Sequence, residues 1–329
     1  MNLTSQSCGI DFISNKDQLV AINSLTFIVS FTVNCLTLWP VVKQVQQRNI
    51  LAIYLLSLSL SDLFYVLTLP LWILYVSRGH SWTLGRSSCY FAGFVFYSNM
   101  YISIGLLCLV SADRYLAVVY PIRSKRLRRP KMAAWLSLLV VLSVFCFHLP
   151  IFVVSIVKDL HNSSEISTCF EHIPLYPSIT YVNYARVALG FLLPLLIMIF
   201  CYQRVLRGVR KSDTLHGEQK KKVRRLSFTV IIIFSICFAP YHLLLLVRTL
   251  NYSLRDDSCP FERQIYFYFN LSLALASFNS AVDPVLYVLV SESVKRDIRK
   301  SLISLSSVLP SKSASIGSRG NHFRTPTSS

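Results

Sequence analysis

The feature that most restricts this chain is a set of long runs without a charged residue: 18–42, 49–61, 63–77, 87–112, 132–157, 187–203, 226–247 and 264–282. A helix needs about 20 apolar residues to cross roughly 30 Å of hydrocarbon, and most of these runs approach that length. Joining 49–61 to 63–77 across the single Asp62 gives seven spans, near 18–42, 49–77, 87–119, 132–157, 178–206, 224–250 and 263–290. Backbone N–H and C=O groups find no partner in lipid, so a span must be a helix or a strand of a closed barrel. The short alternating segments of a barrel are missing from the sequence, and the expected class is an all-α membrane protein, a seven-helix bundle. Residues are 53% hydrophobic and only 15% charged, too oily for a soluble globule.

The formal net charge of +18 would suit a nucleic-acid binder, but the charges are partitioned along the chain. With connections assigned alternately to two sides, the N-terminal side carries Lys16, Arg78, Arg86, Lys158, Arg248, Arg255 and Arg263, balanced by eight acids. The opposite side carries 24 bases against Asp213, Glu218, Glu292 and Asp297. The positive-inside rule therefore puts the N-terminus outside a multi-pass plasma-membrane protein with no nucleic-acid partner. Glycosylation sequons at Asn2, Asn162 and Asn251 all fall on that outer side, whereas the one at Asn270 lies within a span and is expected to be unused. A cleaved signal peptide is not expected, since only Lys16 precedes a first span too long for one.

Of nine cysteines, Cys35, Cys108, Cys146, Cys201 and Cys237 lie in spans as small packing residues. Cys8, Cys89, Cys169 and Cys259 share the oxidising side and allow three pairings. The preferred one joins Cys89 to Cys169, tying the third span to the second outer connection, and Cys8 to Cys259, tying the tail to the third. Four regions are expected: an extracellular tail (1–17), the seven-span domain (18–290), an amphipathic eighth helix (291–303) and a disordered cytoplasmic tail (304–329). The alternation of charged and apolar residues in 291–303 suits a helix lying on the membrane surface. The Ser/Thr-rich, basic tail suits phosphorylation by a kinase.

Ionisable groups inside a membrane mark function. Here they are Asp62, Asp113, Arg114, Arg186 and Asp283, with His148 and His242. A retinal protein needs a lysine in its last helix, and 263–290 has none. A transporter using Asp62 and Asp283 is the alternative from another class, although no repeat of two similar halves is visible. Arg114 reaches the basic face with Asp113 beside it as an ion-pair partner. Asp62 and Asp283, in neighbouring spans, either share a proton or coordinate a cation. Pro194 and Pro240 each remove a backbone hydrogen bond and kink their helices.

Asn34, the run LSLSD ending at Asp62, SADRYLAVVYP around Asp113-Arg114-Tyr115, Pro194, CFAP at 237–240 and DPVLY at 283–287 stand in order, each in its own span. The chain resembles the rhodopsin-like G-protein-coupled receptors over nearly its whole length. The resemblance implies a receptor, not an enzyme, that needs no cofactor and activates heterotrimeric G proteins. Arg114 is then freed on activation while Tyr202 and Tyr287 swing in, and Pro284 belongs to the same switch. Ile104, Pro194 and Phe234 match the family's packing switch, with Phe238 where many members have tryptophan. Asp62, Asn99, Ser103, Asn279 and Asp283 match its sodium site, with Asp62 as the principal ligand; a water-filled network without an ion is the alternative. Asp283 stands where asparagine is commoner.

Phe96 occupies the position of the amine-binding aspartate of monoamine receptors, which argues against a cationic amine. The outer halves of the spans offer Arg186, His242 and Arg248 instead. An apolar bundle holding cations suits an amphiphile whose carboxylate or phosphate sits on Arg186. Alternatively Arg186 pairs with Glu171 of the second outer connection. The phrases QVQQRN at 44–49, TLPLW at 68–72, TCFE at 168–171 and CFAPYHLLLL at 237–246 resemble the proton-sensing and lysolipid receptor group. NCLTLW at 34–39, HSWTLG at 80–85 and HLP at 148–150 look most like its G2-accumulation branch. The ligand this implies is an oxidised fatty acid, lysophospholipid or acyl amide, or else the proton. Ile166, Asn270 and Ser143 replace the histidines and glutamate of the group's stronger proton sensors. That leaves a weaker response through Asp62 and Asp283, assisted by His80 and His172. The basic runs at 123–131 and 220–225 suit either anionic lipid or direct G-protein contact.

Overall fold

A computed structural model describes residues 8–126, 128–162, 168–169, 173–211, 217–255 and 257–290. Seven helices in it are long and apolar enough to cross a membrane: Lys16–Gln46, Ile50–Ser77, Arg86–Val119, Pro130–Val154, Pro177–Arg210, Gly217–Leu254 and Cys259–Tyr287, here spans 1 to 7. They form one bundle in which span 3 packs against spans 2, 4 and 5, and span 7 closes on spans 1, 2 and 6. The segments expected as an eighth helix (291–303) and tail (304–329) lie outside the described residues, as do Asn2, Glu171 and His172.

Most spans run past their charge-free runs, because helical turns beyond the hydrocarbon can carry charges in water, whereas span 2 begins at Ile50 and span 4 ends at Val154, inside theirs. Span 6 starts at Gly217 and includes the whole 220–225 basic run. Asn49 starts span 2: its side chain accepts the N–H of Leu51 at 3.1 Å and donates to Gln44 at 2.9 Å. Span 2 bends at Leu67-Thr68, where the Thr68 hydroxyl takes up the Tyr65 carbonyl at 2.7 Å just before Pro70. Span 5 carries a π-turn over Ala188–Leu192, immediately ahead of Pro194. The proline has no N–H for the preceding turn, and the wider turn re-registers the helix around that gap.

The centre is aromatic and tightly closed: Tyr65, Tyr202, Tyr241, Tyr287, Phe234 and Phe238 are all fully buried. Large apolar residues on the outside, among them Trp39, Trp135, Leu139, Leu189 and Leu196, are exposed on the surface that faces lipid. Both expected disulfides are present, Cys8 with Cys259 and Cys89 with Cys169. They mark one end of the bundle, and the basic connections mark the other.

Candidate functional site

Beneath the Cys89–Cys169 link lies an axial cavity of about 90 Å³, lined by Trp72, His80, Phe96, Arg248, Glu262 and Tyr266 among others. Phe96 stands in it as expected, its ring 5.9 Å from Trp72 and 5.1 Å from Tyr97. Arg248 lines this cavity with a partner of its own. Its Nε donates to both carboxylate oxygens of Glu262, at 2.8 and 2.7 Å, and both residues are buried. The sequence reading counted Glu262 as a loop acid, but span 7 begins at Cys259 and its first turn carries Glu262 inward. Arg248 therefore joins spans 6 and 7 as half of an ion pair. His80, at φ 60°, is buried against Phe12 and Tyr75, with Nδ1 2.8 Å from the Tyr266 hydroxyl.

Arg186 is 6% exposed, with its guanidinium carbon 4.5 Å from the centre of the Tyr97 ring. Its Nε has no hydrogen-bond partner among the described residues; the hydroxyls of Tyr101 and Tyr241 likewise have none. Glu171, the expected alternative partner, is outside them. His242 is buried beside the rings of Tyr101 and Tyr241. Its ring stacks on Phe191 at 4.6 Å, and Nδ1 lies 2.8 Å from the Phe238 carbonyl. A carbonyl only accepts, so that contact puts the proton on Nδ1 and leaves Nε2 as an acceptor. His148 makes the same kind of contact with the Val144 carbonyl at 3.0 Å. Among the replaced proton-sensor positions, Asn270 bonds the Tyr266 carbonyl at 3.1 Å and Ser143 the Val140 carbonyl at 2.9 Å.

Below these, Phe234 packs 5.4 Å from Phe191 and 5.5 Å from Phe238, with Ile104 buried alongside in the same core. Next comes a fully buried polar cluster. Asn34 donates to the Ser280 carbonyl at 2.8 Å, Asn99 to Asp62 at 3.4 Å and Asn279 to Asp283 at 3.2 Å. The Asp62 and Asp283 side chains interact directly with one another. Ser280 also interacts with Asp62, and Ser103 Oγ has no hydrogen-bond partner among the described residues. That oxygen-rich set fits a hard monovalent cation, water or a shared proton. No group of three or more His, Cys, Asp or Glu side chains suited to a metal occurs among the described residues.

At the basic end Asp113 is 3% exposed and held by two arginines. Arg114 Nη2 lies 2.6 Å from one oxygen, while Arg128 reaches both, at 2.8 and 3.2 Å. The sequence assigned Arg128 to a surface patch; its second role is visible only because the connection after span 3 folds back. Tyr115 does not join this pair, for its ring packs on Tyr120 and Phe200 at 5.6 and 5.8 Å. Tyr202 and Tyr287 are buried, and neither hydroxyl has a partner among the described residues. Pro240 and Pro284 sit within their helices as expected. Asn251 lies in a helical turn at the end of span 6, with Oδ1 shielded from solvent.

Buried acids and arginines are thus strung between a cavity at one end and an Asp-Arg pair at the other, and sequence comparison identifies the family. The family profile "7 transmembrane receptor (rhodopsin family)" matches residues 33–287. The mouse probable G-protein coupled receptor 132 is 37% identical over 301 residues, covering 90% of this chain and 77% of its own. Human G-protein coupled receptor 68 is 36% identical (90% and 80% covered), and the rat uracil nucleotide/cysteinyl leukotriene receptor is 31% identical (91% and 87% covered). The chain belongs to the rhodopsin family of seven-transmembrane G-protein-coupled receptors, multi-pass proteins of the plasma membrane and not enzymes.

Proposed function

We propose that this receptor responds to an extracellular amphiphile with an anionic head, an oxidised fatty acid, lysophospholipid or acyl amide, held by Arg186. The observation that carries the reading is a buried guanidinium amid tyrosines whose Nε has no hydrogen-bond partner among the described residues. A desolvated arginine offers a carboxylate or phosphate charge-assisted hydrogen bonds that water would otherwise weaken. The partition of bases supports an extracellular N-terminus, with G protein engaged at Arg114 and kinase and arrestin on the Ser/Thr-rich tail. Ligand binding then biases the Phe234–Phe238 and Asp62–Asp283 layers toward the state in which Arg114 leaves Asp113. In the resting state the residues fitted to sodium are Asp62, Asn99, Ser103, Asn279 and Asp283.

The test is nucleotide exchange on G protein driven by an acyl-lipid panel at fixed pH. Arg186→Gln should raise the half-maximal concentration at least ~30-fold, the equivalent of about 2 kcal/mol for a lost buried charged contact. Arg186→Lys should recover part of it, since one point charge replaces a planar fork. An unchanged response in Arg186→Gln rejects the reading. The contact between two buried carboxyl groups favours a second reading, with protons as the agonist. In that case acidification at fixed lipid drives signalling, and Asp283→Asn flattens the response between pH 6 and 8.

A further inference from the structure

We propose that Arg186 is reached from within the membrane: a lateral cleft between spans 3, 4 and 5 admits a single-chain anionic amphiphile, its head on Arg186 and its chain between spans 4 and 5. This rests on the reading of Arg186 as the anion site and adds the route and the position of the chain. The cleft has a volume of about 280 Å³ and is lined by Tyr101, Gly105, Val144, His148, Leu189 and Gly190 as well as Arg186. By contrast, the cavity on the disulfide side of Arg186 holds about 50 Å³ and the axial cavity about 90 Å³. Ligand sites usually begin near ~300 Å³, so of these three spaces only the cleft approaches the size that an acyl chain needs, and it has room for one chain rather than two; a larger apolar cavity of about 430 Å³ between spans 2, 3 and 4 has no cation in its lining.

Backbone features open it. The π-turn at Ala188–Leu192 displaces span 5 at the point where Gly190 faces Tyr101. A Cβ on Gly190 would come within 2.4 Å of the Tyr101 ring, and one on Gly105 within 2.7 Å of Val140. At the rim, Leu189 is 62% exposed and Phe147 38%, on a surface that meets lipid. An apolar groove alone would take any lipid. This one also exposes to its occupant two side chains more than nine-tenths buried, Arg186 and His148, each with a nitrogen lacking a hydrogen-bond partner among the described residues. No acid lines it. A cation in hydrocarbon selects an anion, and the medium around the rim supplies amphiphiles.

The experiment uses the full chain in lipid nanodiscs and a monounsaturated C18 fatty acid carrying a diazirine on its chain, with labelled residues mapped by mass spectrometry. Labels are expected on Val144, Phe147 and Leu189, falling at least tenfold in Arg186→Gln and in Ser143→Trp, which fills the cleft. Labels confined to Trp72, Phe96 and Phe269 overturn the lateral route, as does labelling that survives Ser143→Trp but not Arg186→Gln. Labelling that survives Arg186→Gln overturns the Arg186 reading itself. The wild-type label positions decide the matter even if the tryptophan variant fails to fold.

Discussion

Asp113 shows what a single residue's surroundings add to its sequence motif. The motif supplies one arginine at 2.6 Å, and the fold supplies a second that reaches both oxygens. Arg128 thereby fixes the carboxylate in the orientation that holds Arg114. Its side chain is 26% exposed, so solvent screening reduces the contact to about 1 kcal/mol, well below a buried one. Arg128→Ala should accordingly raise basal nucleotide exchange roughly fivefold, less than Asp113→Asn, which frees both arginines; unchanged basal exchange in Arg128→Ala refutes the positioning role. Asp11, at the disulfide end, bears on the response to acid. Its Oδ1 accepts the N–H groups of Ile13 and Ser14 at 2.9 and 3.0 Å, which holds the carboxyl below the usual carboxylate range. A depressed acid contributes stability that is present above its unfolded pKa and lost only as pH falls through the lower folded value. Between pH 6 and 8 it stays ionised, so Asp11→Asn should leave any acid response in that window unaltered in a signalling titration. The identities of Asp62, Asp113, Arg114, Arg186 and Asp283 were legible because charges inside apolar runs stand out. Glu262 was not, since an acid one turn beyond a run looks the same whether it faces water or a buried arginine.

At the scale of elements, prolines and glycines carry the geometry. Pro194 and Pro240 were readable as kinks, whereas the π-turn ahead of Pro194 has no residue signature and appears only in the backbone. Gly190 is required by its neighbour: Gly190→Ala should lower thermal stability by about 1–3 kcal/mol of overpacking, and Tyr101→Leu in the same chain should restore most of it in a melting assay. Spans 6 and 7 are joined by Arg248 and Glu262, with the Arg248 guanidinium also 4.9 Å from the Phe269 ring centre. Breaking a buried pair leaves an uncompensated charge, at a cost of about 3–5 kcal/mol, while replacing both partners by apolar residues is often neutral. Glu262→Gln should thus be far more destabilising than Arg248→Met with Glu262→Leu together. Equal melting temperatures for the single and double variants would mean that the pair does not clamp the two spans.

For the whole molecule, seven spans were readable from charge-free runs because charge is costly in hydrocarbon, and the structure shifted their ends, most of them outward into water. The bundle's direction in the membrane rests on the uneven bases, and the cysteines offer an independent chemical measure of it. All four disulfide cysteines stand at one end; Cys35, Cys108, Cys146, Cys201 and Cys237 are inside spans, and the sequence places no cysteine in the basic connections. A charged maleimide that does not cross membranes should therefore find no thiol on intact cells. After treatment with an equally impermeant thiol reductant it should label Cys8, Cys89, Cys169 and Cys259, because the reductant can reach those bonds only if their end is outside. The same treatment should lower thermal stability, since the Cys8–Cys259 bond closes 251 residues and the Cys89–Cys169 bond 80, constraints that an unfolded chain would otherwise escape. Labelling that needs permeabilised cells would put the disulfide end in the cytoplasm, reverse the orientation, and remove Arg186 from the extracellular half of the bundle.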